Sequence, residues 1–258
     1  MKNKIGIILP VYSANKNFNK VIKSISDQIL KPNEVIVVTY KKLDFKKIKN
    51  LNIKVIICPV ANQVYQRTMG LKYLSKSSNI VLQLDDRVVL YKDTILELNN
   101  FWNKNYNRFT GVGLNPSNKF DDQGFINSFF KKIGIHGKII LGFFNIGYNN
   151  FSKNTKVEWL KGGLSSWKLK DVPQIYKRKF PNWKWCVGED LEFCLKLKKD
   201  KKLIICFKSK IKFLKRDNYS KEQFFQRGYY SILSQNRIAK LFKKEFYIHI
   251  IVYIFLNF

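Results

Sequence analysis

Two acidic clusters could do chemistry in this chain: Asp85-Asp86, and Glu189-Asp190 directly after Gly188. The first follows an apolar run, residues 79–84, which sets both carboxylates at the end of a strand. Adjacent carboxylates resist joint ionisation unless positive charge is held against them. A divalent cation carrying a diphosphate meets that need, because Mg²⁺ takes one or two protein carboxylates and fills its shell with water and phosphate oxygens. A solvated turn, or neutralisation by the next residue, Arg87, meets it as well. The second cluster heads a helical stretch, where acidic residues also serve as ordinary caps. Its approach is aromatic, with Trp183, Trp185 and Cys186 just upstream. Aromatic faces suit the C–H edges of sugars, and a carboxylate beside them can take a proton from an acceptor hydroxyl as a general base. A third feature is Gly162-Gly163, between Trp159 and Trp167. Such a pair either admits a close approach of backbone and ligand or makes a simple turn.

These groups need a frame that gathers distant segments. Residues 4–11 read as a strand ending at Pro10-Val11-Tyr12, and Phe18, Val21, Ile22, Ile25 and Ile29 recur at helical spacing. Pro32 stops that helix, and 34–39 (EVIVVT) reads as a fully buried strand. Residues 53–58 and 79–84 give two more strands. Residues 63–74 and 94–102 are expected as helices, the first with Val64, Met69, Leu71 and Leu74 on its inner face. This alternation predicts a parallel sheet with helices on both faces, and ligands in such sheets bind beyond the strands' carboxyl ends. There stand Pro10, Val11 and Tyr12, then Thr39 and Tyr40, then Asp85, Asp86 and Arg87. Residues 115–156 show no clean period and read as an irregular excursion, a candidate lid. A helix at 189–199, a strand at 203–207 and a long closing helix at 221–242 complete the pattern.

In order and rough spacing the motifs resemble the family 2 glycosyltransferases of GT-A fold. Pro10-Val11-Tyr12, Ser24-Ile25 with Gln28, and Pro32-Asn33-Glu34 look like that family's opening. Gln66-Arg67-Thr68-Met69-Gly70 is similar to its Ala-Arg-Asn-x-Gly helix, and Leu84-Asp85-Asp86 to its Asp-x-Asp region. Trp159-Leu160-Lys161-Gly162-Gly163 and Gly188-Glu189-Asp190-Leu191 resemble its acceptor-side signatures, and Gln235-Asn236-Arg237 an element of the last helix. The resemblance spans residues 4 to about 240, with 115–155 unmatched. It implies a Rossmann-like, mostly parallel sheet in one domain, 1–240, with a nucleotide-sugar half (1–105), an acceptor half (106–240) and an apolar extension, 241–258.

By the same resemblance Asp86 would hold Mn²⁺ or Mg²⁺, while Asp85 would contact the nucleotide or support that site. Pro10, Val11, Tyr12 and Arg67 would shape the nucleoside pocket; Trp159, Gly162, Gly163 and Trp185 would meet the sugars. Asp190 would be the base and Glu189 its helper, in a single displacement with inversion at the anomeric carbon. Two positions depart from the family. Thr39-Tyr40 stands where an aspartate usually grips the base, which puts uridine preference in question and leaves Tyr40 to stack instead. Arg87 replaces a third acidic residue, and it either pairs with diphosphate oxygens or weakens metal binding.

The formal charge of +30 suits anionic partners, whether phosphorylated substrates, an anionic membrane or nucleic acid, although lysines spread along the whole chain also reflect bulk composition. No nucleic-acid motif is present, and unshielded acidic pairs would repel a phosphate backbone, so no nucleic-acid partner is expected. A nucleotidyltransferase would want a glycine-rich loop after the first strand, and residues 10–15 hold no glycine. An inactive protein that keeps the fold for binding stays open. The four cysteines lack CxxC spacing and sit in apolar stretches, which predicts reduced, buried thiols in a cytoplasmic protein. Residues 5–9 are too short an apolar run for a signal peptide. Residues 246–258 are too few to span a bilayer, which takes about 20, and suit either the membrane interface or a packed final element. These features together predict a peripheral position on the inner face of the membrane, a glycan or lipid-linked acceptor, and a part in surface polysaccharide synthesis.

Overall fold

The computed structural model describes residues 3–12, 16–43, 48–118, 129–130, 132–140, 144–148, 150–172, 188–197, 202–215 and 220–241. Four parallel strands form its first half: β1 (Ile5–Val11), β2 (Glu34–Thr39), β3 (Ile53–Ile57) and β4 (Ile80–Leu84), in the order β3-β2-β1-β4. All residues of β1, β2 and β4 are buried, as their unbroken apolar runs require of strands covered on both faces. Helix α1 (Lys16–Ser26) packs Phe18, Val21, Ile22 and Ile25 on one face of the sheet. Helix α2 (Gln63–Tyr73) lies on the other, its start capped by the Asn62 side chain, which accepts from Tyr65 N at 2.9 Å.

The resemblance's opening residues turn out to be braces. Gln28 donates to Ser24 O and Tyr91 O and accepts from Ile95 N, joining α1 to the head of α3 (Thr94–Asn105). Buried Glu34 accepts from Ser75 N and Ser78 Oγ, at 2.9 and 2.7 Å, fixing the turn that feeds β4.

Past β4 the chain makes strand β5 (Val88–Leu90), then α3 and β6 (Gly111–Pro116). Later come β7 (Ile139–Ile140) and β8 (Phe144–Asn145), a small antiparallel pair, then β9 (Thr155–Val157) and β10 (Leu164–Lys168). Helix α4 (Glu189–Leu195), strand β11 (Leu203–Phe213) and helix α5 (Lys221–Leu241) follow. The sheet continues β4-β10-β6-β11-β5, with β10 antiparallel to both β4 and β6, and β9 pairing β11. Among the described residues nine strands thus make one mixed sheet, flanked by helices.

Two expectations need correction. The inner face of α2 buries Gln66, Arg67 and Gly70 beside Val64, while Met69 and Leu71 are only partly buried. Polar residues win there because they have partners: Gln66 Nε2 donates to Val11 O and Val38 O, both at 3.0 Å, where β1 and β2 end. The described residues of the stretch 115–156 are also less irregular than its lack of period suggests. They complete β6, hold the β7–β8 pair and most of β9, and bury Ile146 and Tyr148; strands of two or three residues leave no room for alternation. Trp185, Cys186 and the apolar stretch 246–258 lie outside the described residues. Among those described, no helix is long and apolar enough to cross a membrane.

Candidate active site

Strands β1, β2 and β4 end side by side, so Val11, Thr39 and Leu84 deliver Tyr12, Tyr40 and Asp85 to one edge. Tyr12, 55% exposed, lies 5.2 Å from the Tyr40 ring, centroid to centroid. The side-chain hydrogen bond with Tyr40, then burial, raise the Tyr12 phenol above its ordinary range. Thr39 contributes no free hydroxyl to a ligand, since its Oγ1 donates to Lys41 O at 2.8 Å. Pro10 and Val11 are buried in β1, where Val11 gives its carbonyl to Gln66.

Arg67 stands at the centre of the site. Its side chain is 1% exposed and makes two ion pairs: Nη2 to Asp85 Oδ1 at 3.1 Å and Nη1 to Glu189 Oε1 at 2.9 Å. Gln63, one helical turn earlier, donates to the same Asp85 oxygen at 2.6 Å. The two acidic clusters, over 100 residues apart in sequence, are therefore held to a single guanidinium. An arginine is needed here because its planar fork can serve two carboxylates at once.

The glycine pair closes this cluster from the other side. Gly163 O accepts from Asp85 N at 3.1 Å, and Gly162 N donates to Asp190 Oδ2 at 3.3 Å. A Cβ on Gly162 would come within 2.7 Å of Arg67 Nη1, and one on Gly163 would overlap the Asp85 carboxyl. Close approach, not an unusual φ, is what demands glycine at these positions. The turn is anchored to the core behind it. Lys161 N donates to the Tyr148 hydroxyl at 3.0 Å, and Leu160 N to Cys194 Sγ at 3.3 Å.

Gly188, with φ 78°, turns the chain into α4, and Asp190 Oδ1 accepts from Leu191 N at 2.8 Å. Burial, then the charge of Asp190, push Glu189 up to about 7 against the opposing pull of Arg67. Burial raises Asp190 too, although Gly162 N, Leu191 N and Arg67 work the other way. Both carboxyls are thus shifted upward from the ordinary range, toward the neutral pH at which a general base is most effective.

Among the described residues no group of three or more His, Cys, Asp or Glu gathers to hold a metal. What the site offers a cation is Asp86, partly exposed beside an Asp85 already bonded to Gln63 and Arg67. One hard carboxylate, with diphosphate oxygens and water completing the shell, is a donor set that fits Mg²⁺ or Mn²⁺. Arg87 is partly exposed in the same turn, and its carbonyl accepts from Leu214 N.

Trp159 departs from its expected role. It is 4% exposed and its Nε1 donates to Ile146 O at 2.9 Å, so it props the glycine turn from within the core and offers no face to a sugar. Gln63 and Tyr148 are not anticipated by the sequence patterns, and Gln66 enters there only as part of the helix motif, with no role. The signal for the two glutamines is a stripe on α2 at i, i+3, i+4 and i+7 (Gln63, Gln66, Arg67, Gly70), the spacing of one helix face.

No family model and no curated protein matches this chain. Solved structures do. Residues 1–349 of S. aureus TarS in complex with UDP-GlcNAc align with TM-score 0.61 and 17% identity, covering 84% of this chain and 60% of that one. The same fragment in complex with UDP aligns with TM-score 0.59 and 16% identity, covering 90% and 65%. GalNAc-T7 with UDP, GalNAc and Mn²⁺ gives TM-score 0.64 and 11% identity, covering 92% and 48%. The chain thus spans between about half and two thirds of the length of these structures. They are glycosyltransferases, and the likeness establishes that this chain has the GT-A fold.

Proposed function

We propose that this protein is a metal-dependent, inverting glycosyltransferase that moves a sugar from a nucleotide-diphosphate donor to a hydroxyl of a glycan or lipid-linked acceptor. The observation that carries the reading is Arg67, buried between the strand-end Asp85 and the helix-head Glu189 on a GT-A sheet. Donor-side and acceptor-side carboxylates are thereby held together, as a displacement between two substrates requires. The bound nucleotides of the similar structures support a nucleotide-sugar donor.

In this reading the nucleobase lies against the Tyr12–Tyr40 pair, and the diphosphate meets Asp86 and Arg87. A divalent cation there would neutralise charge developing on the departing diphosphate. Asp190 accepts the proton of the attacking hydroxyl as oxygen bonds to the anomeric carbon and the nucleoside diphosphate leaves from the opposite side. Glu189, tied to Arg67, keeps α4 and its base in place. The glycine turn lets the backbone close on Asp85 and Arg67 and so fixes the edge beside which the sugar would lie. Trp185 belongs to the proposed acceptor side on its sequence position alone. An acceptor at the inner face of a membrane, in surface polysaccharide synthesis, is part of the proposal, supported by the charge of +30.

The test is a panel of nucleotide sugars, following nucleoside diphosphate release with Mn²⁺, Mg²⁺ or EDTA, alongside Asp86→Ala and Asp190→Asn. Metal-dependent release from one donor, lost in both variants, is expected. Silence across the panel together with no nucleotide binding by calorimetry would overturn the assignment.

A further inference from the structure

Among the described residues, helix α5 has an outer face that carries exposed apolar side chains. Helix α5 begins with a reciprocal capping box: Ser220 Oγ accepts from Gln223 N at 3.2 Å while Gln223 Oε1 accepts from Ser220 N at 3.0 Å. Its inner side buries Ser234, Ile238 and Ala239. Arg237 reaches Glu192 of α4 at 3.0 Å, and the Ile238 side chain closes on Gly188, the residue that leads into Glu189 and Asp190. On the outer side Phe225, Tyr229 and Ile232 are 74%, 54% and 44% exposed. They fall at i, i+4 and i+7, a single stripe. Exposed Lys221 and Lys240 stand at its two ends.

Large apolar side chains left open to water on one continuous stripe are a mark of an interaction surface. Their setting names the occupant: lysines flank the stripe, and the chain carries +30, so charge complementarity points to an anionic surface with an apolar interior. We propose that the outer face of α5 docks on an anionic lipid bilayer, with Phe225, Tyr229 and Ile232 entering the interface and the lysines meeting the head groups. Because Arg237 and Ile238 join α5 to α4, docking sets the Glu189–Asp190 pair at a fixed height above the membrane. An acceptor hydroxyl carried on a lipid then reaches the base without the sugar leaving the interface. This rests on the lipid-linked acceptor of the proposed function.

The full chain, and the same chain with Phe225→Ser, Tyr229→Ser and Ile232→Ser together, would be sedimented with phosphatidylcholine vesicles containing none or about 30% phosphatidylglycerol. Nucleoside diphosphate binding by calorimetry and thermal melting would be measured on both. The unsubstituted chain should bind the anionic vesicles only, and the triple variant at least tenfold more weakly, with melting and nucleotide binding unchanged. Equal vesicle binding by both proteins would overturn the proposal, since bulk charge or another segment would then carry it. So would a dimer of the unsubstituted chain that the triple variant dissolves, which would make a second copy the occupant. Absence of nucleotide binding in both proteins, with vesicle binding as expected, would instead count against the enzyme reading and leave the surface standing.

Discussion

Asp190 and Glu189 are adjacent carboxylates given different duties in the proposed reaction, and pH separates them. Glu189 holds its proton up to about 7, whereas in an unfolded chain it would release it near 4.5. The folded form therefore binds more protons between those values, so its contribution to stability falls as pH rises from the ordinary carboxylate range toward 7. Activity should move the other way, because the proposed base, Asp190, must be free and burial raises its carboxyl: kcat/KM is expected to rise through a limb above the ordinary carboxylate range. In Glu189→Gln one negative neighbour is gone, and the limb should shift to lower pH; a limb that stays put would remove Glu189 from the titrating pair. Asp190→Asn should lower kcat by about 10²–10⁴ while the nucleotide still binds, which single-turnover kinetics beside calorimetry would check. Gly163→Ala tests the tightest approach in the site, since the added carbon would overlap the Asp85 carboxyl. A loss of about 1–3 kcal/mol in stability is expected from such forced overlap, read by denaturant titration. The acidic residues were legible in the sequence because carboxylates at a strand end and a helix head are conspicuous by position. Gln63 and Gln66 were not, since helical periodicity is ordinarily sought among apolar residues and this stripe is polar.

Helix α4 has seven residues and would not hold its shape alone. Its brace is Glu192, 4% exposed, which is paired with Lys196 one turn on and with Arg237 of α5. Removing one cation leaves a buried carboxylate short of partners, a change that costs about 3–5 kcal/mol when the charge is wholly uncompensated. Lys196 remains and Arg237 is 22% exposed, so Arg237→Ala should cost less, about 1–2 kcal/mol. It should also slow transfer more than it weakens nucleotide binding, because in the proposed reaction α4 carries the base and not the donor pocket. Equal loss in both, measured by transfer kinetics and calorimetry, would show a general collapse instead. The elements themselves were read unevenly. Strands β1, β2, β3 and β4 are runs of Ile, Val and Leu, and their limits lie within about a residue of where the pattern puts them. Strand β6, GVGLNP, carries residues that strands ordinarily avoid. It is a strand because Gly111 and Gly113 leave room for Trp167 and Ile205, contacts made by β10 and β11 far along the chain. Strand β10 likewise buries Ser165 and Ser166, the latter bonded to Val112 O and to Trp102 Nε1. Such choices are made by tertiary packing, and no local period announces them.

At the scale of the whole molecule the dominant quantity is charge. A nucleotide sugar is an anion, and a surface of +30 attracts it over a distance set by salt. The Debye length is about 10 Å at 0.1 M salt and about 3 Å at 1 M, so this attraction is strong in dilute buffer and nearly gone in concentrated buffer. Contacts inside the site behave differently, because Arg67 at 1% exposure is shielded from bulk ions. The association rate of a nucleoside diphosphate is therefore expected to fall roughly tenfold between 0.05 and 1 M salt, within the range known for electrostatic steering. Its dissociation rate should change far less. Stopped-flow binding at several salt concentrations separates the two. An uncharged nucleoside serves as the control, and its association rate should hardly respond. If salt acted mainly on dissociation, the anion would be held by exposed lysines at the rim, and the buried cluster around Arg67 would lose its claim to be the organising centre of the donor site.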